Sequence, residues 1–129
     1  TLLDLTVDTF VKVFQCSNCM ILEHFEKDNL LYPIAYQGFE QFDSIRPIPF
    51  LIKELNNQKE SFTNYSEPSL VEYFDSLQLF ETVICPIFKR DGDFYGFIIC
   101  DNDLGSNINQ SDLESFTALS HQAGFYISR

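Results

Sequence analysis

Apolar residues recur at Leu3, Val7, Phe10 and Phe14, spacings of four, three and four that lay one stripe along a helix. Leu2 and Val13 widen that stripe. The pattern then shortens. CMILEHFE (19–26) reads as a strand, Lys27-Asp28-Asn29 as a turn, and LLYPIAY (30–36) as the second strand of a hairpin. Pro33 cannot donate to a ladder, which predicts an edge strand or a bulge there. His24 falls on a strand face.

Between Gln37 and Phe80 the periodicity degrades. QGFEQFDSIRPIP reads as a loop, PFLIKELNN (49–57) as a short helix opened by Pro49, and SFTNY (61–65) as a short strand. Ser66 is placed to cap another short helix running through Leu77. Long mixed connections of this kind often serve as binding lids. This one is rich in aromatics: Phe39, Phe42, Phe50, Phe62, Tyr65, Tyr73 and Phe74.

Order returns at VICPIFKRDGDFYGFIICDN (83–102). Asp91-Gly92 is a favoured pair for a two-residue hairpin turn. That turn sets Phe88 against Tyr95, Pro86 against Phe97 and Ile84 against Ile99. Val83, Cys85, Ile87, Gly96, Ile98 and Cys100 take the other face. Both faces are apolar, so the hairpin belongs inside a sheet covered on both sides. Gly96, opposite Ile87, leaves room for a helix to come close. The bulky face carrying Phe88, Tyr95 and Phe97 is left to the irregular segment 37–80. A last helix follows, Ser111–Arg129. Ser111 and Glu114 form one capping box and Asn109 is a competing cap. Leu113, Phe116, Leu119 or Ser120, Ala123 and Ile127 make its inward stripe. Phe125 and Tyr126 are left outside, and His121 falls at the surface or an interface.

Composition narrows the function classes. The 129 residues are enough for one domain, and 45% of them are apolar, with 14 Phe and 6 Tyr. A formal charge of −11 argues against nucleic-acid backbones and anionic membrane surfaces. The apolar runs are too short to span a bilayer, and no secretory signal opens the chain. Four cysteines in that setting read as reduced thiols of a cytoplasmic protein. Cys16-Ser-Asn-Cys19 is a single CxxC with no second CxxC or His pair to complete a zinc shell. It follows a helix and precedes a strand, the reverse of the usual redox order. Neither a metal nor a disulfide is expected there, with one cysteine in the loop and one in the core. Cys85 and Cys100 read as core.

Taken in order, helix, hairpin, aromatic segment, hairpin and terminal helix, the chain resembles a GAF domain. The residues that carry the likeness are VICPIFKRDGDFYGFIICDN, the terminal INQSDLESFTALSHQAGFYI, and IPFLIKELNNQKESF (48–62). The resemblance implies an α+β fold. A GAF/PAS-like central antiparallel sheet of five to six strands carries the N- and C-terminal helices on one face. Short helices and loops cover a pocket on the other. It also implies a non-catalytic regulatory sensor excised from a larger signalling protein, such as a histidine kinase, phosphatase, nucleotide cyclase or transcriptional regulator.

The candidate pocket comprises Phe50, Phe62, Tyr65, Tyr73, Phe74, Phe97 and Ile99. Its occupant is expected to be small and largely apolar or aromatic, and the sequence names no cofactor. Cyclic-nucleotide members of the family carry Asn-Lys, Phe and Asp-Glu where this chain has Asn102-Asp103, Ile108 and Asp112-Leu113. Bilin binders present Cys-His, and none of the four cysteines precedes a histidine. The enzymatic alternative is a free methionine sulfoxide reductase working through low-pKa thiols. Expected partners are a covalently linked output domain and a second copy docked through the terminal helices. The chain start at Thr1, already inside a helical pattern, fits a piece of a longer protein.

Overall fold

In the computed structural model, residues 2–38, 48–49, 60–63, 82–101 and 108–127 are described. Six strands form one sheet: β1 (Cys19–Phe25), β2 (Leu30–Gln37), β3 (Ile48–Pro49), β4 (Phe62–Thr63), β5 (Thr82–Phe88) and β6 (Phe94–Asp101). Their spatial order is β3-β2-β1-β6-β5-β4, with every neighbouring pair antiparallel. Two helices, α1 (Leu2–Phe14) and α2 (Gln110–Ile127), pack on one face of it. The α+β architecture read from the sequence is therefore the observed one, with the β5–β6 hairpin inside the sheet.

The helix stripes account for that packing. Val7 and Phe10 of α1 are buried, while Leu3, Val11 and Phe14 pack at the margin of the same core. Leu2 and Val13, expected to widen the stripe, lie instead on the outer side and are exposed. On α2 the buried positions are Phe116, Ser120, Ala123 and Gly124. The helices meet where Phe14 stacks on Phe116, ring centroids 3.7 Å apart. Asn109, not Ser111, caps α2. Its Oδ1 accepts from Asp112 N–H at 2.8 Å, while Asp112 Oδ2 accepts from Asn109 N–H at 3.2 Å. The capping box thus uses Asp112 at the third helical position.

Glycine sets two close approaches. A Cβ on Gly124 would lie 2.1 Å from the Phe88 carbonyl oxygen, so the close crossing of α2 over β5 requires glycine there. A Cβ on Gly96 would lie 1.9 Å from the Leu22 carbonyl oxygen. The element that comes close at Gly96 is therefore β1, not a helix as expected.

The central register agrees with the sequence reading: Ile84 pairs with Ile99, Pro86 with Phe97 and Ile87 with Gly96. The turn does not. Lys89 N–H donates to Asp93 O and Gly92 N–H to Lys89 O, giving a three-residue loop with Gly92 at φ +93°. Phe88 then pairs with Phe94, and a bulge at Tyr95 restores the register. Tyr95 consequently joins the helix-side core instead of the Phe88/Phe97 face.

Pro33 sits at a β1–β2 bulge, as its chemistry anticipates. Pro86 lies past the residue paired with Phe62, the first of β4, so the ladder continues without its N–H. Pro49 belongs to β3, paired with Leu30, and the rest of the helix expected at 49–57 lies outside the described residues. The helix expected at 66–77 lies outside the described residues.

Candidate functional site

The sheet face away from the helices follows from the pairing. Met20, Leu22 and His24 of β1 lie opposite Ile99, Phe97 and Leu31 across two ladders, which carries the same face through β6 and into β2. Ile84 and Pro86 continue it through β5, and Phe62 adds β4. Three expected pocket residues, Phe62, Phe97 and Ile99, thus share this face. All three are buried, as are Met20, Leu22 and Ile84. Phe94 extends the patch, its ring 5.0 Å from Phe97 and 5.9 Å from Phe88. His24 sits at its rim beside Phe94 and pairs with Asn29 Oδ1 at 2.8 Å. Phe50, Tyr65, Tyr73 and Phe74 lie outside the described residues.

Among its described members this face is apolar. It can hold a ligand by area, shape and ring contacts, and its strands present no cluster of cations to grip a phosphate.

The opposite face holds the thiols. Cys16, Cys19, Cys85 and Cys100 are all buried thiols, none of them in a disulfide. Cys85 and Cys100 lie in the helix-side core as expected. Cys16 differs from expectation: Gln15, at φ +53°, turns the chain after α1 so that Cys16 enters the core, its Sγ 3.9 Å from Phe10 O. Burial pushes the Cys85 thiol up to about 12. Burial, then hydrogen bonds with Cys16 and Cys19, also raise Cys100. At Cys19 the Cys100 hydrogen bond pulls downward, but the Cys16 contact and burial outweigh it. Tyr95 is likewise raised, by burial and then by its bond to Glu23.

A polar clamp that the sequence reading missed closes one end of the sheet. Asp101 Oδ1 accepts from Asn18 N–H at 2.7 Å and Oδ2 from Asn18 Nδ2 at 2.6 Å, while Asp101 N–H donates to Asn18 O at 3.0 Å. The only sequence signal was an Asp ending an apolar strand. At the other end of the hairpin, Arg90 donates to Phe125 O at 3.2 Å and lies over the Phe125 ring.

The helices also leave apolar surface in solvent. Leu5, Val13, Phe125 and Tyr126 are about half exposed or more, at 61%, 60%, 54% and 48%. A groove of about 260 Å³ runs between α1 and α2, bordered by Leu2, Leu5, Leu119 and Tyr126. No described helix is long and apolar enough to cross a membrane.

No protein-family model and no curated protein matches the chain. Solved structures do. The phycoerythrobilin-bound GAF domain of a cyanobacterial phytochrome superposes with a TM-score of 0.78 at 15% identity, covering 98% of this chain and 83% of that one. A domain described as part of a two-component sensor histidine kinase of Sinorhizobium meliloti 1021 gives 0.73 at 18% identity, covering 97% and 88%. Residues 122 to 287 of a methyl-accepting chemotaxis protein give 0.71 at 20% identity, covering 95% and 84%. Sheet order, helix placement and these superpositions agree: the chain has the GAF-domain fold.

Proposed function

We propose that this domain is a non-catalytic sensor module of a signalling protein, and that its ligand lies on the sheet face bearing Phe62, Phe97 and Ile99. The observation that carries this reading is the buried apolar face opposite both helices, in a fold shared with domains of photoreceptors, a sensor kinase and a chemotaxis protein. The aromatic segment holding Phe50, Tyr65, Tyr73 and Phe74 supplies the rest of the pocket in this reading. The ligand is small, largely apolar or aromatic, and non-covalent. Every described thiol is buried, and the core that holds Cys19, Cys85 and Cys100 is on the other side of the sheet. The same burial supports a non-catalytic role over thiol-based sulfoxide reduction, because raised thiols are poor nucleophiles at neutral pH.

Thermal denaturation tests this directly against indole, a flavin, a free bilin and cyclic GMP. An aromatic ligand at about 100 times its dissociation constant stabilises the fold by roughly 2.7 kcal/mol. Phe97→Ala should abolish that shift, and cyclic GMP should give none. A shift that survives Phe97→Ala would sink the assignment of the face.

Signalling also needs an exit. The exposed Leu5, Val13, Phe125 and Tyr126 support docking of a second copy along α1 and α2. Sedimentation of the wild type against Phe125→Glu and Tyr126→Glu tests this. A wild type that stays monomeric at high concentration would refute the dimer.

A further inference from the structure

The CxxC gains its missing partner from the fold. Cys100 lies directly across the β1–β6 ladder from Cys19, with Sγ atoms 3.5 Å apart. Cys16 is folded in beside them, so that the three sulfurs all lie within 4.8 Å of one another, and all three residues are buried. The expectation that no metal binds here rested on a shortage of ligands near Cys16 and Cys19 in sequence. That shortage is reduced by a residue 81 positions away.

We propose that Cys16, Cys19 and Cys100 form a buried three-sulfur site for a single cuprous ion, on the opposite side of the sheet from the ligand face. Three sulfurs around one ion at metal–sulfur distances of about 2.3 Å stand about 4 Å apart. The observed cluster brackets that spacing, so side-chain rotations of less than an ångström admit the ion. The donor set selects the metal. Thiolate sulfur is soft and favours Cu(I), whereas zinc completes a tetrahedral shell that three sulfurs leave short. Cys85, the next nearest thiol, lies on β5 beyond β6.

Charge fits as well. Cys19 and Cys100 bind as thiolates, each sending its proton to solvent, and Cys16 completes the shell as a neutral thiol. The bound site then carries one net negative charge, the smallest excess two thiolates around a monovalent ion can leave in an apolar core. No electron moves, and the copper stays cuprous throughout. The ion would join the turn after α1 to the two central strands.

The test is anaerobic titration of the reduced domain with Cu(I) against a chromogenic cuprous chelator, followed by copper X-ray absorption. The expected result is one ion per chain in a shell of three sulfur scatterers, with a higher melting temperature. Cys100→Ala should lower affinity by more than the roughly 100-fold that loss of an outer-shell group costs, and Cys85→Ala should not. Circular dichroism establishes that each variant is folded. Should Cys100→Ala unfold, Cys16→Ala gives the same reading from the edge of the core, as a two-sulfur shell. Absence of Cu(I) binding to the folded reduced protein, binding unchanged by either ligand substitution, or a shell containing nitrogen would each overturn the site.

Discussion

The two faces of the sheet are both buried and are built from different residues. Toward the helices the strands present Cys19, Ile21, Ala35, Val83, Cys85, Ile87, Ile98 and Cys100, with Tyr95 the one ring among them, and α2 answers with Ser120, Ala123 and Gly124. Toward the other side they present Met20, Leu22, Ile84, Phe97 and Ile99, with Phe62 from β4. Small side chains let a helix backbone settle close to a sheet. Large ones keep a covering layer farther off, and in the proposed reading their rings line the ligand space. The difference teaches that burial alone does not identify a core: a face packed under helices and a face proposed to take a ligand can be equally dry.

Cavity mutants give the sharpest contrast. Phe10→Ala, beneath the helix face, should destabilise the fold by about 4 kcal/mol, and Phe97→Ala by nearer 3 kcal/mol if it borders the proposed pocket, whose lining can relax into the cavity. Urea midpoints of the two variants measure this. A Phe97→Ala loss equal to or above that of Phe10→Ala would mean that the second face is packed as solidly as the first.

Close approach comes next. Gly124→Ala places a methyl against the Phe88 carbonyl and should cost about 3 kcal/mol by overpacking. Gly92→Ala has open space, so only its positive φ opposes it, at about 1 kcal/mol. Equal losses would show that α2 can lift freely from β5.

Alkaline pH acts on the thiol-bearing face. Thiols of the unfolded chain ionise near pH 8.5, while Cys85 holds its proton up to about 12. Between those values the native state binds more protons than the unfolded state, so stability falls as pH rises. The loss from Cys85 should reach about 2 kcal/mol at pH 10. Cys85→Val should remove its share, and denaturant titrations at pH 7 and pH 10 under reductant measure it. A smaller effect than that of the thiols belongs to the clamp at the sheet end. Asp101→Asn keeps the shape but loses charge-assisted bonds to Asn18, for about 1.5 kcal/mol.

Alternation made the centre of the hairpin legible. Ile84, Pro86, Phe97 and Ile99 are bulky on one side, and a one-residue slip would exchange every side chain between the faces. The turn was misread because two departures cancel. The loop takes one residue more than Asp91-Gly92 alone, and the bulge at Tyr95 absorbs it, so nothing in the strand pattern betrays either. The cap of α2 was open between Asn109 and Ser111 because both residues accept hydrogen bonds equally well, and only geometry selected Asn109. Of the proposed pocket, Phe97 and Ile99 were legible through strand parity, whereas Phe62, read as an aromatic of the covering segment, lies on the sheet face itself beside Ile84. Residues without a clear period, such as Phe50 and Tyr73, offered no such signal. The third sulfur beside the CxxC was illegible for a plainer reason. Cys100 meets Cys19 through a ladder formed between the first strand and the last.

The seat of Gly124 on the Phe88 carbonyl, with Ile87 beneath it, has a consequence for how the sequence can vary. Eight positions earlier on α2, Phe116 is stacked on Phe14. A hole and a knob on one helix, each matched to a fixed partner, make the span between them a ruler. Inserting one residue there turns everything beyond it by about 100° and advances it by about 1.5 Å, so that one contact or the other is lost. Length changes within that span are therefore forbidden individually, however mild each residue is as a substitution.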